Sequence, residues 1–242
     1  MSAGAVISHA WDLYKAHWRH LITISVIVYA LVALFTLLLI VLLGDLGAFI
    51  AAFVTLAGVY WLQGTLVIAI DDIRDGSADL SVRETLERVR PRLNTLSIAA
   101  LLITVALIVS AFIIFIGFIL FIIPGLLLFA GFLFLLVRWL LVVPVIMLER
   151  RGVIAALDRS SELVKGHGWS VLGVIALTVV ILIGVGIAIS VALSPLNNDI
   201  QTPIANLVSS TLTAPFVALA WTLTYFALRD LKEPEPVPAL AA

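Results

Sequence analysis

The feature that most constrains the fold is a run of 53 residues, Leu96–Leu148, in which Arg138 is the only charged side chain. As one helix this run would span about 80 Å, whereas the hydrocarbon core of a bilayer is about 30 Å thick. We therefore expect it to cross a membrane twice. Pro124 and Gly125 are the predicted turn, because proline removes a backbone donor and glycine relaxes the backbone.

Other apolar runs extend this pattern along the chain. Hydrophobic residues make up 63% of the 242 residues and charged residues 12%, against about half and about a quarter in soluble domains. The predicted fold is an all-α, polytopic membrane helical bundle in a single domain, residues 1–230. A disordered, proline-rich cytoplasmic tail, residues 231–242, is expected to follow. The six predicted transmembrane helices are residues 21–43, 46–70, 96–123, 126–148, 171–193 and 204–228.

Three polar segments precede the first, third and fifth spans, and each predicts a short amphipathic interfacial helix followed by a hairpin of two spans. Residues 1–20 carry apolar residues at helical spacing, which fits a helix lying in the interface or one packed on the bundle. Ser81 and Glu84 have capping-box spacing, so the second short helix should begin at Val82, with Pro91 ending or kinking it.

The third polar segment, residues 150–170, predicts a surface helix that Gly166 and Gly168 end. Helical spacing divides its side chains between two faces. The less polar face comprises Ile154, Leu157, Ser161 and Val164, and the wet face comprises Asp158, Arg159, Glu162 and Lys165. We expect the less polar face to lie against the rest of the protein.

Basic residues indicate the orientation. Of the 14 Lys and Arg, 13 lie in the polar segments or the tail, and the three short turns on the opposite side carry none. Cytoplasmic loops of membrane proteins carry an excess of Lys and Arg. The polar segments and both termini are therefore predicted to be cytoplasmic.

Three stretches of the chain resemble a known family. RWLLVVPVIMLE with AALDRSSELVKGHGW, and the later YFALRD, are similar to the membrane domain of glycerophosphoryl diester phosphodiesterase. One departure is Ala227, where an aspartate is expected. The matching positions are Arg138, Trp139, Pro144, Glu149, Ala156, Arg159, Ser160, Leu163, Gly166, Trp169, Tyr225, Leu228 and Arg229.

The resemblance implies a stand-alone six-span module of a bacterial or archaeal plasma (inner) membrane. The family name does not imply activity here, because the catalytic part of such phosphodiesterases is a separate soluble barrel. A barrel of that kind needs about 250 residues, for which this chain has no room. The chain is therefore predicted not to be an enzyme.

Arg138 is the residue within a span that most needs explanation. On a straight helix it lies 11 residues before Glu149, about 16 Å into the membrane, where an unpaired charge costs at least about 3 kcal/mol. One interpretation is that Arg138 faces the bundle interior and binds an anionic group. The other is a structural network with Tyr60, Gln63, Tyr225 or a backbone carbonyl.

Four further charged residues gather at the predicted cytoplasmic boundary: Glu149, Arg150, Arg151 and Arg159. As a binding set with Arg138 they would hold lipid headgroups or a protein partner. As structural residues they would be charges reaching the interface and forming ion pairs, including Arg159 with Glu162 at i,i+3.

Several kinds of site are absent from the sequence. The chain has no cysteine, which excludes disulfides and thiolate metal sites, and its net charge of −1 does not favour nucleic acid as a partner. His17 and His20 are three residues apart, but no close carboxylate completes a metal site. No cofactor is predicted.

Three functional hypotheses follow. The leading one is a non-catalytic module that organises membrane lipids or protein partners through its cytoplasmic helices; the sequence does not predict an oligomeric state. The alternative is a small transporter or channel that uses Arg138 in the bundle interior. The third is a membrane-embedded lipid enzyme, for which Asp71, Asp72 and Asp75 would be the acidic cluster.

Overall fold

The computed structural model describes residues 2–74, 80–195 and 198–233, and all regular structure in these ranges is helical. Within them, five helices are long and apolar enough to cross a membrane. The predicted tail falls largely outside the described residues. The helices are α1 (Ala3–Arg74), α2 (Val82–Val89) with a 3₁₀ turn (Arg90–Arg92), α3 (Leu93–Leu120), α4 (Ile122–Trp139), α5 (Val142–Leu148), α6 (Val153–Val164), α7 (Gly168–Ala192) and α8 (Asn198–Lys232).

Helix α1 contains the first two predicted spans. Its backbone leaves the helical conformation at His17 (φ −120°, ψ 17°) and at Gly44 (φ 57°, ψ −130°). The second of these conformations is accessible almost only to glycine. We call residues 18–43 the first limb and residues 45–74 the second limb. The two limbs pack closely against each other at Gly58. A Cβ added there would lie only 2.7 Å from Val32 Cγ2.

The segment before His17 packs on the bundle. Val6 and Ala10 are buried, while Trp11 is 48% exposed. The Tyr14 hydroxyl donates to the Leu212 carbonyl at 3.0 Å, and its ring meets Phe216 edge to face. Pro215 has no N–H, so the carbonyl that loses its helical donor is that of Thr211, the residue before Leu212.

The hairpin of α3 and α4 turns at Phe121, which is extended (φ −158°, ψ 141°). The predicted turn at Pro124-Gly125 is therefore wrong by about three residues. Pro124 is the third residue of α4, where the backbone N–H has no helical acceptor and its loss is tolerated. Gly125 is needed for close packing instead, since a Cβ there would lie 2.6 Å from the Phe118 ring.

The fourth predicted span, residues 126–148, is not one continuous helix. It is interrupted at Leu140 and Leu141, which separate α4 from α5. Pro144 is the third residue of α5 and has no N–H to donate to the Leu140 carbonyl four residues earlier. The proline thus ends the hydrogen-bond ladder of α4 one turn before its own position.

The remaining helix ends can also be compared with the predicted ones. Helix α8 begins at Asn198, so the loop predicted over residues 194–203 is shorter than expected. Helix α2 begins at Val82 as predicted, with the complete capping box of Ser81 and Glu84. The left-handed backbone of Gly166 (φ 89°) ends α6, whereas Gly168 is the first residue of α7.

The core lies toward the polar end of the bundle, where α1, α3, α5, α7 and α8 meet. It contains Leu62, Leu96, Ile146 and Leu219, each at most 1% exposed. Away from this end the apolar side chains of the hairpins are exposed over long stretches, such as residues 34–46 and 108–116. Such surfaces fit the hydrocarbon interior of a bilayer rather than water.

Candidate site at the polar end of the bundle

The polar segments meet at one end of the molecule. Arg74, the last residue of α1, lies 3.4 Å from Asp230 near the end of α8. The connection between α5 and α6 lies at the same end. Its Glu149 forms the ion pairs described below. The convergence brings together charges that are far apart in the sequence.

Arg159 on α6 is the centre of a cluster of charges. Its Nε donates to the Glu149 carboxylate at 3.0 and 3.2 Å, its Nη1 lies 3.2 Å from Glu162 Oε2, and its Nη2 lies 2.5 Å from Glu233 Oε1. The predicted i,i+3 pair with Glu162 is confirmed. The Arg159 guanidinium thus ties α6 to the end of α5 and to the end of α8.

The environment of Arg159 keeps it charged. The residue is only 7% exposed, and burial alone would lower the pKa of the guanidinium. The hydrogen bonds to Glu233, Glu149 and Glu162 outweigh that effect and raise the pKa above its ordinary value. Arg159 therefore serves as a permanently charged junction between three carboxylates.

Glu149 connects two further residues to this cluster. The Tyr225 hydroxyl donates to Glu149 Oε1 at 3.1 Å, and Arg151 Nε lies 2.7 Å from Glu149 Oε2. Lys232 donates to the Glu162 carbonyl. Of the predicted site residues, the structure brings Glu149, Arg151 and Arg159 together; it adds Tyr225, Lys232 and Glu233, all on or beside α8.

The faces predicted for α6 are partly wrong. Val164 is buried and Asp158, Glu162 and Lys165 are exposed, as predicted, but Arg159 and Ile154 are reversed. Arg159 belongs to the buried face together with Val153, Ala156, Ser160 and Leu163, whereas Ile154 is 65% exposed. Helical spacing alone assigned Arg159 to water because arginine is polar. The buried position is stable because three carboxylates pair with the charge.

Ser160 connects α6 to the interruption between α4 and α5. Its hydroxyl donates to the Arg138 carbonyl at 2.6 Å and accepts from the Leu141 N–H at 3.2 Å. Both backbone groups belong to the interruption and have no helical partner there. One buried side chain thus satisfies the backbone on both sides of the break.

This contact also places Arg138 relative to α6. The helix is interrupted rather than straight, and the Arg138 carbonyl lies beside the middle of α6. The exposed face of that helix carries Asp158, Glu162 and Lys165. The backbone of Arg138 therefore lies at the level of a helix whose outer face is polar.

The Arg138 side chain is half-buried and lies over the ring of Phe134, with 4.9 Å between the guanidinium carbon and the ring centroid. Phe134 is 58% exposed, so this contact is on the outside of the bundle. Among the described residues, Arg138 forms no ion pair. Tyr225, one of its predicted partners, bonds to Glu149 instead.

Arg150 faces a different neighbourhood from Arg151. It is the only described residue other than glycine with a left-handed backbone (φ 56°), a conformation that side chains rarely adopt. It lines a concave pocket of about 410 Å³ whose apolar floor includes Met147 and Leu148. Asp71, Arg88 and Arg92 line the same pocket.

We call Arg88, Arg92 and Arg150 the arginine pocket. None of the three forms an ion pair with any carboxylate in the described part of the chain. Arg88 and Arg92 come from α2 and the 3₁₀ turn, and Arg150 from the α5–α6 connection. Of the three, only Arg150 belongs to the predicted binding set, because nothing in the spacing of Arg88 and Arg92 places them beside residue 150.

The acidic cluster proposed for an enzyme is only partly described, since Asp75 lies outside the described residues. The Asp72 carboxylate accepts from the Leu80 N–H at 3.1 Å, which fixes the start of the segment leading into α2. No group of three or more His, Asp or Glu that could hold a metal ion occurs in residues 2–74, 80–195 and 198–233.

Ser160→Ala is expected to destabilise the protein by about 1–3 kcal/mol. The substitution leaves the Arg138 carbonyl and the Leu141 N–H without a buried partner, and a buried unsatisfied group costs about that much. Thermal unfolding in mild detergent would measure the loss. Ser161→Ala is the control, because Ser161 is the adjacent serine and is less buried; an equal loss in both variants would contradict the role given to Ser160.

Residues 119–229 match the protein family described as the membrane domain of glycerophosphoryl diester phosphodiesterase. This confirms the predicted resemblance over a little less than half of the chain. The matched segment includes Glu149, Arg159 and Tyr225, whereas the α2 side of the arginine pocket lies outside it. No curated protein and no solved structure matches the chain significantly.

Proposed function

We propose that this protein is a non-catalytic membrane module that holds anionic lipid headgroups at the cytoplasmic face of the inner membrane. The observation that carries the proposal is the arginine pocket, in which three arginines without ion-pair partners in the described residues surround one concavity. Asp71 lines the same concavity, and its carboxylate offsets one of the three positive charges. An anionic phosphate would supply further negative charge to the guanidinium groups, and arginine binds phosphate through several N–H donors.

The position of the pocket supports a lipid as the occupant. Its floor is apolar, from Ile68, Met147 and Leu148, and it lies at the end of the bundle where the apolar helices give way to charged segments. A phospholipid presents the same sequence of chemistry, from acyl chains to a charged headgroup. Basic residues at a membrane surface each contribute about 1 kcal/mol toward binding anionic lipids.

The proposed topology has six spans, the two limbs of α1 together with α3, α4–α5, α7 and α8. Both termini and the arginine pocket would lie in the cytoplasm, as the distribution of basic residues favours. The Arg159 cluster would hold α6 and the end of α8 in place beside the pocket. The non-catalytic role is supported by the family match, which is to a membrane domain.

The test is lipid binding by a charge-neutral variant. Arg88→Gln, Arg92→Gln and Arg150→Gln together are expected to lower the affinity for phosphatidylglycerol by about 100-fold at low salt, from about 1 kcal/mol for each residue. Native mass spectrometry of the purified protein with phosphatidylglycerol, and with phosphatidylcholine of the same chains, would measure it. Added salt should reduce the difference in affinity between phosphatidylglycerol and phosphatidylcholine.

A matched control removes the same charge elsewhere at the polar end: Lys15→Gln, Arg19→Gln and Arg83→Gln. These side chains already have neighbours, since Lys15 pairs with Asp12, Arg83 pairs with Glu87 and Arg19 lies over Trp18. The control should retain most of the affinity. Equal losses in both triple variants would show a diffuse charge effect and overturn the pocket. An unchanged affinity in the first variant would point to a protein partner instead.

A further inference from the structure

A second cavity lies at the centre of the bundle, separate from the arginine pocket. Its volume is about 320 Å³, and α1, α3, α4, α5, α7 and α8 all contribute to its wall. Every lining side chain is uncharged. The polar ones are Tyr60 and Gln63 on the second limb of α1, Trp139 on α4 and Trp221 on α8.

The interruption between α4 and α5 forms one wall of this cavity, through Trp139, Leu140, Val142 and Val143. Non-helical backbone at this position in a membrane protein is tolerated where it is enclosed by protein or lines a cavity. The Leu140 carbonyl has lost its helical donor because residue 144 is proline. In secondary transporters, interrupted helices also line the substrate site.

Trp221 adds a second, independent observation. Its indole Nε1 is buried and has no hydrogen-bond partner among the described residues. An indole N–H can only donate, so the group that satisfies it must be an acceptor. Gln63 is only 9% exposed and offers an amide beside the same cavity.

We propose that this central cavity binds a neutral lipid through a carbonyl oxygen, which accepts hydrogen bonds from Trp221 and Gln63. A charged ligand would lose its hydration without meeting any opposite charge in the wall. The cavity size suits one polar head, since small-molecule sites begin at about 300 Å³. The tail would leave past Val59, which is 43% exposed, toward the exposed apolar side chains of the hairpins.

The experiment uses the full chain in mild detergent with three probes: dioctanoylglycerol, decylubiquinone and dioctanoyl phosphatidylglycerol. The first two carry carbonyl groups without charge, as an ester and as a quinone, and distinguish two sources of the same chemistry. We expect one of them to raise the unfolding temperature in a saturable manner. The triple variant of the arginine pocket should keep this shift and lose the one caused by phosphatidylglycerol.

Two substitutions address the binding groups. Trp221→Phe and Gln63→Met keep most of the side-chain volume and should each weaken binding of the neutral probe by about tenfold, the order expected for one buried hydrogen bond. Trp221→Phe should also raise the unfolding temperature without ligand, because it removes a buried donor that has no partner. If Trp221 only fills space in the core, Trp221→Phe should instead lower the unfolding temperature without ligand.

The control is Trp61→Phe. Trp61 Nε1 already donates to Ser97 Oγ at 2.9 Å, and this tryptophan lines a different cleft. The variant should lower the unfolding temperature and leave the affinity for the neutral probe unchanged. The proposal is overturned if neither neutral probe binds, or if binding is undiminished in both Trp221→Phe and Gln63→Met.

Discussion

Arg159→Met is expected to lower the free energy of unfolding by about 3–5 kcal/mol. The substitution keeps an unbranched side chain but takes the buried counter-charge from Glu149, whose side chain is 16% exposed, and leaves it only Arg151, whose side chain is 43% exposed. Removing one member of a buried ion pair has an effect of this size because the remaining charge loses most of its compensation. Unfolding in mixed micelles of increasing denaturing detergent would measure it.

A second variant separates charge from packing. Arg159→Met combined with Glu149→Gln removes both buried charges and should recover a large part of the lost stability. Arg159→Lys should be intermediate, because an ammonium group cannot contact Glu149, Glu162 and Glu233 in the same geometry. If the double variant were no more stable than Arg159→Met, the destabilisation would come from lost packing and not from the unpaired carboxylate.

The matched control is the exposed ion pair of α2. Arg83 Nε lies 2.9 Å from Glu87 Oε1, nearly the same separation as between Arg159 and Glu149, but the Arg83 side chain is 88% exposed. Exposed pairs contribute below about 1 kcal/mol. Arg83→Met should therefore change stability very little, and the contrast would show that burial, not distance, decides the contribution of an arginine here.

The arrangement of the long apolar helices in hairpins could be predicted from the sequence, because a long apolar run in a membrane has few possible structures other than a helix. The capping box at Ser81 and the end of α6 at Gly166 were also predictable, since each depends on residues within one helical turn. Sequence rules gave the wrong helix boundary at proline, because proline both breaks a helix and is accepted in the first turn of the next one. Pro124 predicts a turn and Pro144 lies inside a span predicted to be continuous. Proline is accepted in the first turn of a helix, so in both places the break comes a few residues before the proline.

The candidate site was less predictable because its residues meet only through tertiary contacts. Arg159 and Glu233 are 74 residues apart, and Glu149 and Tyr225 are 76 apart. A helical pattern treats Arg159 as polar and assigns it to water, since the pattern contains no information on what other helices bring to it. The same reason hides the arginine pocket and the unpaired indole of Trp221.

Gly47→Ala should prevent the two limbs of α1 from closing at their turn. A Cβ on Gly47 would lie 2.0 Å from the Leu39 carbonyl oxygen, and that obstacle is backbone, which cannot rotate away. We expect a loss of about 3 kcal/mol, the upper part of the range for overpacking. Gly131→Ala is the control, because nothing lies within 4 Å of a Cβ there; it should be neutral or stabilise α4 by about 0.5–1 kcal/mol.

A disulfide can report directly on whether the limbs close. The chain has no cysteine, so Val32→Cys with Gly58→Cys introduces the only pair. A Cβ on Gly58 would lie 3.4 Å from Val32 Cβ, close to the spacing of about 3.5–4.5 Å in disulfides. Oxidation should therefore protect both cysteines from a maleimide reagent, and adding Gly47→Ala should restore labelling while adding Gly131→Ala should not. Undiminished protection with Gly47→Ala would mean that the turn accommodates a Cβ, and that the close approach at Gly58, not the turn, holds the hairpin together.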